Sequence, residues 1–121
     1  MKTACLLQKL ASGDPTALTA QQALDMATVE AARAVGMSKE LGSIEPGKRA
    51  DIIIVDFKKP HLKPLHNPIS HLVYAARAGD VKAVFVNGEL VVEDGRLVKA
   101  DLHSIIQEAE HTARRIVGDQ S

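Results

Sequence analysis

Apolar residues recur along this chain with two alternating periods, and the alternation divides it into helices and strands. Leu6, Leu7 and Leu10 fall at helical spacing within residues 3–11, and the breaker run Ser12-Gly13-Asp14-Pro15 ends that helix. Thr19 followed by Gln22 has the form of a capping box, which starts a helix at Ala20. The stripe Ala20, Leu24, Ala27, Ala31, Val35 predicts that this helix continues to Gly36, its left-handed stop. A stripe so rich in alanine allows close approach to a larger partner without filling a core by itself.

Beyond Met37 the helical period ceases. Gly42 and Pro46-Gly47 are turn chemistry, and the proline-glycine pair predicts a type II turn. The run Asp51-Ile52-Ile53-Ile54-Val55-Asp56 is β-branched and continuous, the pattern of a strand covered on both faces. Pro60, Pro64 and Pro68 then punctuate a loop. Asn67-Pro68 predicts a capped helix with Ile69, Leu72, Val73 and Ala76 on one face and an exit at Gly79. Residues 81–86 read as a strand, Asn87-Gly88 as a tight hairpin, and 90–93 as its return. Asp94-Gly95 extends the hairpin towards a small meander through Arg96, Leu97 and Val98. Asp101 caps a last helix carrying Leu102, Ile105, Ile106, Ala109, Ala113, Ile116 and Val117 at the helical period. The fold class is therefore α+β.

Composition narrows the function classes. With 121 residues the chain suits one domain's worth of core, and 45% hydrophobic with 25% charged residues is ordinary globular usage. Fifteen basic residues balance fifteen acidic ones, and Phe57, Tyr74 and Phe85 are the whole aromatic complement. Such a surface has neither a footprint for a phosphate backbone nor a stacking platform, which argues against a nucleic-acid partner. The longest apolar run is far shorter than the ~18 residues of a membrane span, and a single cysteine suits a reducing compartment, so a cytoplasmic protein is expected.

Candidate chemistry is sparse. His66 and His71 would sit roughly 140° apart on one helix, and His103 and His111 roughly 12 Å apart along another, so neither pair chelates one ion. Gly42-Ser43-Ile44-Glu45-Pro46-Gly47-Lys48 matches the start of a phosphate-binding loop. Arg49 replaces the hydroxyl residue, Pro46 removes a backbone donor, and the segment leads into a strand instead of a helix; a tight turn is the better reading. Cys5 lies in an apolar helix where a thiol is inert, and Ser70 and His71, adjacent on a helix, do not face each other. The expected catalytic and metal-binding residues of this chain are none, with substrate-binding residues unknown.

The segment from Gly42 through Asp56 resembles the turn and strand that re-enter the small β domain of amidohydrolase-superfamily enzymes. Ala27-Thr28 through Gly36 is similar to the preceding helix, and Val84 through Val92 with Asp94-Gly95 to the hairpin of that family. Asp14-Pro15-Thr16-Ala17-Leu18 and Asn67-Pro68-Ile69-Ser70-His71-Leu72-Val73-Tyr74-Ala75 further resemble the methylthioadenosine/S-adenosylhomocysteine deaminases and related chlorohydrolases. Ala31 departs from the glycine common at that place, a change a helix tolerates well.

The resemblance implies that residues 1–36 are the last helices of a (β/α)₈ barrel and residues 37–121 the C-terminal part of a composite β domain with its closing helix. It further implies a parent hydrolase acting on carbon-nitrogen bonds, with a divalent ion, zinc by preference, held by a His-x-His pair, further histidines and an aspartate. No His-x-His occurs here, so no catalytic residue carries over, and the chain is expected to be inactive by itself and to bind no cofactor. Its expected partners are the remainder of the parent enzyme and, in isolation, further copies of itself. An independent, non-catalytic interaction module with an amidohydrolase-like β domain is the alternative.

Overall fold

The computed structural model describes residues 1–118. Its first half is helical: α1 (Lys2–Ser12), α2 (Ala20–Ala27) and α3 (Val29–Ala34) precede β1 (Ile52–Val55). Helix α4 (Pro68–Tyr74) separates β1 from the meander β2 (Val81–Val86), β3 (Glu89–Glu93) and β4 (Arg96–Leu97), and α5 (Leu102–Val117) closes the chain. The four strands form one antiparallel sheet in sequence order, so β1 and β4 are its edges.

Local hydrogen bonds explain most boundaries. The Thr19 hydroxyl accepts from the Gln22 backbone N–H while the Gln22 side chain accepts from the Thr19 N–H, a complete capping box. The Asn67 side chain accepts from the Ser70 N–H at 3.0 Å with Pro68 in the first turn, and Asp101 accepts from the His103 N–H at 3.0 Å. Asn87 and Gly88 both have positive φ, 52° and 81°, the twist that a two-residue hairpin requires. At the proline-glycine turn the Lys48 N–H reaches the Glu45 carbonyl and Gly47 has φ 89°, as a type II turn demands.

Three sequence expectations are corrected. The helix expected over 20–35 is two helices broken at Thr28, whose φ and ψ are −128° and −94°. The Thr28 hydroxyl donates to the Leu24 carbonyl at 2.8 Å, and the Thr28 backbone N–H turns instead to Asp25 at 3.1 Å. The helix expected to exit at Gly79 ends at Tyr74, because the Ala76 N–H folds back on the His71 carbonyl and Gly79 belongs to a separate 3-10 turn, Ala78–Asp80. The strand expected to be covered on both faces is an edge strand, with Ile53 and Ile54 each about half exposed.

The core is small and lies among the first helices. Cys5 of α1, Ala23 of α2 and Val73 of α4 are buried together, with Leu18, Ala20 and Tyr74 packed around them. Lys9 helps close this unit: its ammonium donates to the carbonyls of Pro15 and Ala17, pinning a turn in which Leu18 has φ 50°. By contrast Leu6, Leu7 and Leu10 are exposed, and α5 buries none of its residues. The apolar periods seen in the sequence are real, but several of them face outward within the described residues.

Candidate functional site

Helix α3, the 41–50 turn and strand β1 enclose an open groove of about 820 Å³. Its apolar wall includes Ala27, Ala31, Val35, Ile44, Ile52 and Ile53. Thus the C-terminal half of the stripe read from the sequence, Ala27, Ala31 and Val35, faces a cavity, while Ala20 at its start packs on the protein's own core. Gly42 sets the shape of the groove. A Cβ on this residue would come within 2.8 Å of the Ala32 Cβ and 3.0 Å of the Val29 backbone, and its φ is 95°, so only glycine lets the turn lie against α3.

The groove's rim is charged but internally satisfied. Lys48 donates to the Ser43 hydroxyl and reaches Glu45 at 3.3 Å, while Arg49 pairs with Glu40 at 3.1 Å and its backbone N–H donates to the Glu40 carbonyl. The hydrogen bond donated by Ser43, and then Lys48, hold the Glu45 carboxyl below its ordinary value. The turn that imitates a phosphate-binding loop therefore spends its lysine on its own residues and leads into β1, as a structural turn does.

A second polar cluster ties the loop after β1 to the start of β2. The Asp80 side chain is buried and receives both the His61 Nε2, at 2.8 Å, and the Arg77 backbone N–H, at 2.8 Å. The His61 bond first, and the Arg77 N–H second, lower the Asp80 carboxyl. The Asp80 backbone carbonyl accepts from the Asp56 N–H, so one residue joins the end of β1, the 60–62 turn and the start of β2. Leu62, fully buried beside His61 in the sequence, anchors the same loop. Sequence reasoning missed this pair because its members are nineteen residues apart and belong to two short irregular turns without periodicity.

The other residues considered from the sequence are scattered. Cys5 is buried in the helical core, where interaction with its thiol, followed by desolvation, pushes the Tyr74 phenol above its ordinary value. His71 Nδ1 bonds the Asn67 carbonyl, His103 meets Gln107 on α5, and His66 and His111 are exposed. Ser70 serves the Asn67 cap through its backbone. Among the described residues no three His, Cys, Asp or Glu side chains gather in a way that could hold a metal ion. Among them, too, no helix is long and apolar enough to cross a membrane.

A mixed helical and antiparallel unit with these turns belongs to the amidohydrolase family, whose profile matches residues 1–91. The relatives narrow the comparison to enzymes named for adenosine-type substrates. The chain is 47% identical over 116 residues to a 5-methylthioadenosine/S-adenosylhomocysteine deaminase of Syntrophobacter fumaroxidans, covering 96% of this chain and 26% of that protein. It is also 47% identical over 117 residues to a 5′-deoxyadenosine deaminase of Methanosarcina mazei, covering 97% of this chain and 27% of that one. Among solved structures, a zinc-bound adenosine deaminase from Xanthomonas campestris superposes with a TM-score of 0.90 and 36% identity over 95% of this chain and 26% of its own. The atrazine chlorohydrolase of Arthrobacter aurescens, complexed with zinc, gives a TM-score of 0.76 with 31% identity over 89% of this chain and 25% of its own. The chain thus spans about a quarter of the length of the relatives it matches.

Proposed function

We propose that this chain is the structural C-terminal part of a metal-dependent amidohydrolase that removes an amino group from an adenosine-type substrate. In this reading residues 1–36 close the catalytic barrel, residues 37–121 belong to a composite β domain, and the remainder of the parent enzyme supplies the chemistry. The observation that carries the reading is the outward-facing apolar groove between α3 and β1, on a chain whose relatives are about four times longer. Burying such a surface is favourable by ~25 cal/mol per Å² of apolar area, and an open β1 edge leaves backbone donors and acceptors to be paired.

Hydrolytic deamination at a ring carbon draws on a metal ion that activates water. The described residues do not fit such an ion, since they offer no clustered donors, and no step of the reaction is assigned to them. What these residues do is positional. Gly42 holds the turn against α3, and the His61–Asp80 pair fixes the loop that leads from β1 towards α4.

The test is complementation with 5′-methylthioadenosine as the probe. Ammonia release is expected when the chain is combined with the first three quarters of a related deaminase, and not from either piece separately. Turnover or stoichiometric zinc retention by the 121-residue chain in isolation would overturn the assignment. The alternative, an independent interaction module, draws on the side-chain caps at Thr19, Asn67 and Asp101, and it predicts no binding to the remainder of the enzyme.

A further inference from the structure

Helix α5 presents a different face from the groove, and its pattern specifies an occupant. Leu102, Ala109 and Ile116 recur every seven residues, with Ile105 and Thr112 between them, which is the spacing of a two-helix seam. Ile106 and Ala113 widen that stripe on one side. Glu108 and Arg115, also seven apart, line the other side, and among the described residues neither has an ion-pair partner. Leu102, Ile105, Ile106 and Ile116 are all about half exposed or more, and none of the helix's residues is buried.

We infer that α5 pairs antiparallel with α5 of a second copy of this chain. The stripe is self-complementary in that orientation. Ile105 of one helix lies against Ile116 of the other, Ala109 lies against Thr112, and each contact occurs twice about the symmetry axis. Small residues at the centre allow close approach, and the bulky isoleucines close both ends. The same register sets Glu108 of each helix beside Arg115 of the other, giving two opposite-charge pairs along one flank, while Ile106 meets Ala113 on the opposite flank. A parallel pair would instead place Glu108 near Ala113, so the charges favour the antiparallel arrangement. The macrodipoles of two antiparallel helices oppose each other and attract, each N-terminal end lying by the other's C-terminal end.

Sixteen residues make a contact only roughly 24 Å long, so the dimer should be reversible and concentration-dependent. This inference goes beyond the proposed role and uses another surface. Loss of dimers would leave the complementation result unchanged, and failed complementation would leave the dimers unchanged.

Sedimentation equilibrium of the full chain from about 1 µM to about 300 µM reads the association directly. Glu108→Arg and Arg115→Glu should each weaken the dimer about tenfold by replacing two attractive pairs with repulsive ones. The double variant E108R/R115E should restore it, because the pairing is reciprocal. Ile105→Glu should abolish it while circular dichroism reports an unchanged fold, since this side chain is about half exposed and lies outside the buried core. A monomer at every concentration, a dimer that persists in Ile105→Glu, or single and double charge variants that associate equally would each overturn the inference.

Discussion

Gly42 is the residue whose replacement the geometry forbids most clearly. Gly42→Ala combines a positive φ with a contact of 2.8 Å to the Ala32 Cβ, and should destabilise the chain by about 1 to 3 kcal/mol in chemical denaturation. Leu62→Ala, at a side chain with no exposure, should cost about 2 to 5 kcal/mol in the same measurement. Asp80 gives a prediction in pH. Because His61 and the Arg77 N–H lower its folded-state value, the stability it contributes is fully present above the unfolded value of about 3.9 and is lost as pH falls through the folded one. Denaturation midpoints measured from neutral pH down to acid should therefore fall less steeply below that point in Asp80→Asn than in the parent sequence. Asp14 and Asp101 are lowered as well, by their bonds to Thr16 and Ser104, so the variant should retain part of the slope.

At the scale of elements, the caps and turns follow from neighbours within three or four residues. Thr19→Ala removes the hydroxyl acceptor at the start of α2 and should lower stability by about 1 kcal/mol, with helix content falling in circular dichroism. Such features were legible in the sequence because donor and acceptor are adjacent in it: Thr19 with Gln22, Asn67 with Ser70, Asn87 with Gly88, Asp101 with His103. The break at Thr28 was not, since threonine in a helix can leave its hydroxyl idle, and its bond to Leu24 emerges where Gly42 and the following turn lean on α3. The end of α4 was misplaced for a related reason. Gly79 is a permissive residue, yet the helix yields five positions earlier, at a fold-back of Ala76 on His71 that no residue type announces. The His61–Asp80 tie is non-local, and nothing in the spacing of two single residues marks it.

On the scale of the whole molecule, periodicity told which faces are apolar but not what they meet. The stripes of α1 and α5, the wall of α3 and the edge of β1 are the places where an apolar pattern and the observed exposure disagree. A pattern read from the chain assumes that each apolar face is buried by the same chain. Here the chain spans about a quarter of its relatives' length, and the wall of α3 and the edge of β1 are where the proposed remainder would dock, while the α5 stripe is the surface assigned to a second copy. Cys5, Ala23 and Val73 form the cluster this segment buries by its own means, with Leu62 and Asp80 buried apart from it.

Hydrogen exchange of the chain, measured with and without the first three quarters of a related deaminase, probes that docking at the level of single segments. Peptides covering β1 and α3 should gain protection when the larger piece is added, because the open strand edge becomes paired and the groove filled. Unchanged exchange across both segments, at concentrations where the two pieces are mixed in excess, would contradict the account.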